Sequence, residues 1–202
     1  MSGAPTPADI LRFWFGEQPA RALDDPTLQR LWWAKQPEVD AAMRERFGAQ
    51  VQAAADGALD GWAASPDGRL ALVLLTDQFP RNIHRGTPAA FALDPLARRW
   101  ALEGIEQGVF DALPPVQQVF AWLPLEHAED AGLQARCVQG MRALRDRAPA
   151  AQRAAFDSFV DFAERHEAVI RRFGRFPHRN AILGRASTAQ ERAFLATPGS
   201  SF

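Results

Sequence analysis

Apolar residues recur at spacings of three and four along almost the whole chain. Val39, Met43, Phe47 and Val51 form one stripe, and Phe156, Phe159, Phe162, His166, Ile170 and Phe173 form another. No stretch alternates apolar and polar long enough to argue for a strand. Start signals are frequent. Thr6-Pro7 with Asp9, Asp25-Pro26, Ser65-Pro66-Asp67 and Thr87-Pro88 each place a capping side chain before a proline suited to the first helical position. Thr188-Ala189-Gln190-Glu191 reads as a capping box, with side chain and backbone bonded reciprocally. The pattern predicts helices near 7–16, 26–34, 37–56, 67–79, 88–108, 115–122, 127–147, 150–173 and 188–196. Connections are short and no Ser/Gly-rich linker divides the chain. The expectation is therefore all-α: one domain over 1–202, about nine helices in antiparallel pairs, and a short C-terminal tail at 197–202.

Two places sharpen that picture. Phe13-Trp14-Phe15 points three rings in three directions around a helix, so that helix is expected to be buried on most sides. Trp32-Trp33 puts two indoles on different faces of a helix. One of them is a candidate to line a groove or a contact with a second chain.

Composition narrows the function. The 202 residues are enough for one substantial core, and 47% of them are apolar. A formal net charge of −1 offers no global field for nucleic acid or an acidic membrane, so neither is expected as a partner. The strongly apolar run Leu70–Leu75 is far shorter than the roughly 20 residues that span a bilayer. The N-terminus lacks the basic-then-apolar order of a signal peptide, and a single cysteine, Cys137, suits a reducing compartment. Together these predict a cytoplasmic protein. Cys137 lies in an amphipathic stretch and reads as a small buried apolar side chain. Lys35 is the only lysine. The remaining basic residues are arginines, whose planar fork suits carboxylates and phosphates.

The candidate chemistry centres on two turns with one signature. Asp77-Gln78-Phe79-Pro80-Arg81-Asn82 and Gly174-Arg175-Phe176-Pro177-His178-Arg179-Asn180 are each expected to close a helix with Phe-Pro and then present Arg-Asn. If they meet, Arg81, Arg175 and Arg179 can grip an anion, with Asn82, Asn180 and His178 fixing its orientation. Gly174 stands where a helix C-cap is expected, and Arg171 and Arg172 before it suit the helix dipole without any function. The competing reading pairs these arginines with acids such as Glu126, Glu129 and Asp130 for structure alone. Glu126 and His127 follow Pro124 and are expected to open a helix. Glu126 would then share a face with Asp130, and His127 would have Asp130 three residues on to orient it. With His166, on an apolar stripe, they are the candidates for proton transfer. Two histidines at i, i+4 are absent and a metal would need His84, His166 or His178 from elsewhere, so no metal or cofactor is assigned. No phosphate loop, nucleophile elbow or dinucleotide fingerprint is present.

Several strings taken together resemble one family. They are Leu11-Arg12-Phe13-Trp14-Phe15-Gly16, Leu31-Trp32-Trp33, Thr76 to Asn82, Pro124 to Asp130, Phe173 to Asn180, and the ending Phe194-Leu195 through Pro198-Gly199-Ser200-Ser201-Phe202. They are similar to the bacterial domain-of-unknown-function family 924. The resemblance implies an all-α fold with a tetratricopeptide-like superhelical arrangement. It brings no reaction, so no catalytic residue comes with it. The 34-residue tetratricopeptide signature cannot be laid on this chain, so any such similarity is one of helix arrangement. Two expectations follow. The first is a small anionic metabolite bound in an Arg/Asn/His-lined pocket, with acid–base catalysis as an extension. The second is a tetratricopeptide-like interaction module or homodimer scaffold without catalysis.

Overall fold

The computed structural model describes residues 3–200. Met1, Ser2, Ser201 and Phe202 lie outside the described residues, and with them the end of the expected C-terminal tail. Among the described residues there are ten α-helices, no strand, and short 3₁₀ turns between helices. The helices are α1 (Pro7–Phe15), α2 (Pro26–Trp33), α3 (Pro37–Ala55), α4 (Pro66–Thr76) and α5 (Gln78–Ile83). They continue with α6 (Asp94–Glu106), α7 (Pro115–Glu126), α8 (Ala131–Arg147), α9 (Arg153–Phe173) and α10 (Ala189–Leu195).

The helix starts follow the capping chemistry. Thr6 and Thr188 form capping boxes with Asp9 and Glu191, and the Asp25 and Ser65 side chains accept from first-turn amides. Thr87 behaves differently: its hydroxyl donates to the His84 carbonyl, and only a 3₁₀ turn, Pro88–Phe91, follows.

Helix α4 is the centre of the fold. Every residue from Gly68 to Thr76 is buried, which is how a helix apolar on all sides must sit. Helices α1, α3, α6 and α7 pack around it. The aromatic helix α1 closes one side: Trp14 and Phe15 are buried, and Phe13 packs edge-on against Phe47, 5.0 Å between ring centres. Helices α7, α8 and α9 pack in succession through short connections, as an up-down-up layer. Gly140 makes the α7–α8 approach possible, since a Cβ there would come 2.5 Å from the Trp122 ring. A small second apolar cluster of Val169, Ile170 and Phe176, with Phe173 and Phe194, anchors the segment after α9.

Three expected boundaries are corrected, and each correction moves a candidate residue. The expected helix 67–79 breaks at Asp77, and Phe79-Pro80 opens α5 instead of closing α4. Pro80 is the third residue of α5, where its missing N–H would have had no helical partner. The expected helix 88–108 is a 3₁₀ turn followed by α6, because Pro95 has no N–H to bond the Phe91 carbonyl of a continuous helix and its ring would clash with that carbonyl. That break places Asp94 in the first turn of α6. The segment 124–127 closes a helix and does not open one. Helix α7 runs through Pro124 to Glu126, giving up one hydrogen bond near its end, and α8 starts only at Ala131. Asp130 is the N-cap of α8, accepting from the Leu133 amide, so it neither shares a face with Glu126 nor orients His127.

Trp32 and Trp33 divide as their neighbouring positions demand. Trp32 is buried and its indole N–H donates to the Trp14 carbonyl at 2.8 Å. Trp33 is 51% exposed and stacks on Phe120. Cys137 is fully buried. Among the described residues no helix is long and apolar enough to cross a membrane.

Candidate functional site

The helix breaks converge. The α4–α5 junction supplies Asp77 and Arg81, the start of α6 supplies Asp94, and the end of α7 supplies Glu126 and His127. Helix α9 supplies His166, and the turn after α9 supplies Phe176, His178 and Arg179. The carboxylate of Asp94 joins the two signature turns. Arg81 holds it bidentately, Nη1 to Oδ1 at 2.8 Å and Nη2 to Oδ2 at 3.1 Å, while Arg179 Nη1 stands 3.5 Å from Oδ2. Arg179 also donates to the His127 carbonyl at 3.1 Å. Phe91 and Phe176 lie 4.7 and 4.5 Å from its guanidinium carbon, so the cation also faces aromatic rings.

Asp77 organises the inner side. Its carboxylate, buried at the helix break, meets three donors. These are His127 Nδ1 at 2.8 Å, Arg81 Nη1 at 3.2 Å and Gln78 Nε2 at 2.6 Å. Burial alone would raise its pKa, but the Arg81 charge and these donors together hold it well below the usual carboxylate range. Against an ionised Asp77, His127 Nδ1 carries the hydrogen, which leaves Nε2 as the basic nitrogen. Burial and the Arg81 charge lower the His127 pKa against the pull of Asp77, so the ring is neutral near pH 7.

Glu126 is the opposite case. Burial, with Asp77 adding repulsion, pushes its carboxyl up to about 8. Its neighbour His166 is driven down to about 3, chiefly by burial, and donates Nδ1–H to the Phe162 carbonyl at 2.8 Å. The 3.4 Å approach of His166 Nδ1 to Glu126 Oε1 therefore joins a neutral acid and a neutral base, not two ions. The His127 and His166 rings are 6.4 Å apart. One buried wall thus carries a protonated carboxyl, a neutral imidazole oriented by a carboxylate, and two guanidiniums. That is the equipment for moving a proton beside a bound anion.

A model of the family described as bacterial protein of unknown function (DUF924) matches residues 10–199. The chain belongs to this family. A solved structure of a protein of unknown function from Agrobacterium tumefaciens shares 38% sequence identity, with a TM-score of 0.79, over 94% of this chain and 96% of that one. No curated protein matches. Membership in DUF924 shows the fold and leaves the chemistry to the residues themselves.

Within this family member, the signature turns use their letters unequally. Arg81 and Arg179 reach the shared cluster, and Asn82 and Asn180 do not. Asn82 Oδ1 accepts from Arg85 Nη2 at 3.0 Å, and Arg85 in turn pairs with Asp40. Asn180 Oδ1 accepts from Arg185 Nε at 3.0 Å, its amide donates to Ser187, and Arg185 pairs bidentately with Glu129. Arg175 is bound to Glu191, the capping-box acid of α10, so it serves that helix start. His178 is half-buried against Phe176, and desolvation with the Arg179 charge holds its pKa down to about 4. Among the described residues no group of three or more His, Cys, Asp or Glu is arranged to hold a metal ion.

Asp77 and Asp94 were not singled out from the sequence. Asp94-Pro95 carries the same acid-before-proline signal that marks Asp25-Pro26, and that signal was legible. Gln134, fully buried on α8, donates to the carbonyls of Glu126 and Ala128 at 2.5 and 2.8 Å. It caps the end of α7 and so fixes where Glu126 and His127 point.

Proposed function

We propose that this cytoplasmic family member binds a small anionic metabolite at the Arg81–Asp94–Arg179 cluster and transfers a proton there. His127 Nε2 acts as the base and Glu126 as the acid. One observation carries the reading: a neutral His127 aligned by the ionised Asp77 sits next in sequence to a Glu126 held protonated near neutral pH. Pairs of titratable groups driven in opposite directions within one site suit acid–base chemistry more than structure, because structural ion pairs keep both partners charged. Arg179 supplies the less satisfied cation, and burial with the Arg81 charge lowers its pKa to about 10. The cluster is closely packed. Two hollows, of about 130 Å³ beside Trp122 and Gly140 and about 450 Å³ beside Phe15 and Pro26, lie away from it. A ligand therefore enters only where side chains move, on the side where Arg81, Asp94 and His127 retain 14–17% exposure.

Thermal-shift screening against carboxylated and phosphorylated metabolites tests this. A ligand should raise the melting temperature of the wild type and have no effect on Arg179→Ala. No hit at millimolar ligand removes the proposal.

A second reading, a tetratricopeptide-like interaction module or homodimer, draws on Trp33, which is 51% exposed with Phe162 on α9 also exposed. Aromatic anchors dominate interface energies, so Trp33→Ala should abolish partner capture or self-association if that reading holds.

A further inference from the structure

The chain's own occupant of the cationic cluster indicates what else fits there. Asp94 is held at both oxygens by Arg81, yet it meets Arg179 only at 3.5 Å, longer than an ordinary N–H···O bond. Arg179 is 6% exposed and its Nε has no hydrogen-bond partner. A buried guanidinium with an unused donor is costly, so this cation has capacity for a better-placed acceptor. Asp94 lies on the outer side: its side chain retains 14% exposure, against 1% for Asp77. It stands at the start of α6, where a carboxylate turned out into water is still favoured by the helix dipole.

We propose that Asp94 holds the place of a ligand carboxylate. A small monocarboxylic acid, ionised, takes the position between Arg81 and Arg179 while the Asp94 side chain rotates outward. This rests on the anion-binding reading above and names the ligand class. Charge selects it. Asp77, Asp94, Arg81 and Arg179 balance two against two, and one carboxylate replacing another keeps that balance. A phosphate dianion would bury an extra charge without a partner. Geometry selects it as well, because the Arg81 fork already grips a planar two-oxygen group.

The test uses the wild type, Asp94→Asn, and Asp94→Asn combined with Arg179→Ala. Each is melted in sodium formate, acetate, phosphate or sulfate, with ionic strength balanced by chloride. Formate and acetate should raise the Asp94→Asn midpoint by about 3–6 °C at roughly ten times Kd, the wild-type midpoint less, and the double variant's not at all. Phosphate or sulfate acting as strongly as the carboxylates overturns the carboxylate assignment and leaves the anion site standing. Equal shifts in the double variant overturn the proposal as well. Should Asp94→Asn not fold, the wild-type Arg179 Nε–H resonance decides: it moves with formate, or the proposal fails. If no anion moves that resonance or any midpoint, this proposal and the anion-binding reading both fall.

Discussion

The two Phe-Pro-Arg-Asn turns are built to one plan and backed by different material. In both, the arginine turns inward toward Asp94, and the asparagine oxygen receives a second arginine that ties the turn to a carboxylate on another segment. Around Phe79 the first turn rests on the main core, against Trp14, Phe47 and Phe13. The second turn rests on the small apolar cluster around Phe176. Arg81 meets two carboxylates, and its pKa ends above its ordinary value although burial opposes this. Arg179 has one distant carboxylate and is lowered to about 10, chiefly by burial. One signature, interrupted by His178 in the second turn, thus gives a welded cation in one place and an under-bonded one in the other. Of the two, only the second has a buried donor without a partner, its Nε.

The sharpest way to break that comparison is to remove each cation in turn. Arg81→Met leaves the buried Asp77 and the half-buried Asp94 without their main counter-charge. It should cost about 4 kcal/mol, lowering the melting temperature by roughly 8–16 °C. Arg179→Met keeps the aliphatic bulk beside Phe91 and Phe176 and gives up a weak pairing and the bond to the His127 carbonyl, offset by no longer burying a guanidinium, so about 1 kcal/mol is expected. Urea titrations of both variants measure this. Equal losses would mean that the two turns are energetically equivalent and that Arg179 has no spare capacity.

The turns also differ in acid content: the first carries Asp77, and its counterpart holds no acid between Gly174 and Asn180. Asp77 reaches Glu126, and pH reads that asymmetry. The carboxyl of Glu126 titrates near 8 in the fold, against an ordinary value of 4.5. Between those values the folded state keeps a proton that the unfolded chain has lost, so stability falls as pH rises toward 8. Between pH 6.5 and 8.5 the loss should be about 2 kcal/mol and absent in Glu126→Gln. The window to measure is pH 6.5 to 8.5. Below it His166 and His178, held neutral down to about 3 and about 4, impose the opposite slope, because the unfolded chain binds the protons they refuse. Identical slopes for wild type and Glu126→Gln would show that Glu126 is ionised in the fold.

The helices were legible because their signals are local. Thr6, Asp25, Ser65 and Thr188 cap the elements they announce, and the run Leu70–Leu75 names the central helix by lacking any polar face. The Phe156 stripe was legible in outline, although Phe162 is turned to solvent. The cluster was legible only in part. The repeat of Arg81 and Arg179 is a local signal, but the acid that aligns His127 lies 50 residues away at Asp77, and no spacing rule reaches that far. Asp130 is the nearer acid, and helical periodicity pointed to it. Pro124, tolerated inside the last turns of α7, shifted the helix end and took Asp130 out of register. Asp94 was hidden differently, inside a helix that looked continuous from 88 to 108 until Pro95 is read as a start signal.

The smallest expected effect separates the two asparagines. Asn180 is fully buried, accepts from Arg185 and donates to Ser187, so Asn180→Ala leaves polar groups of both unsatisfied and should cost about 2 kcal/mol. Asn82 makes one bond, to an Arg85 whose pairing with Asp40 is partly in water, so Asn82→Ala should cost less than about 1 kcal/mol. Neither asparagine reaches Asp94, so both variants should keep formate and acetate binding within about threefold once folded, a difference of less than roughly 0.7 kcal/mol. A loss of binding in Asn82→Ala without a loss of stability would place that amide on the ligand itself. The two turns would then be equivalent anion clamps, and not one fixed and one adjustable.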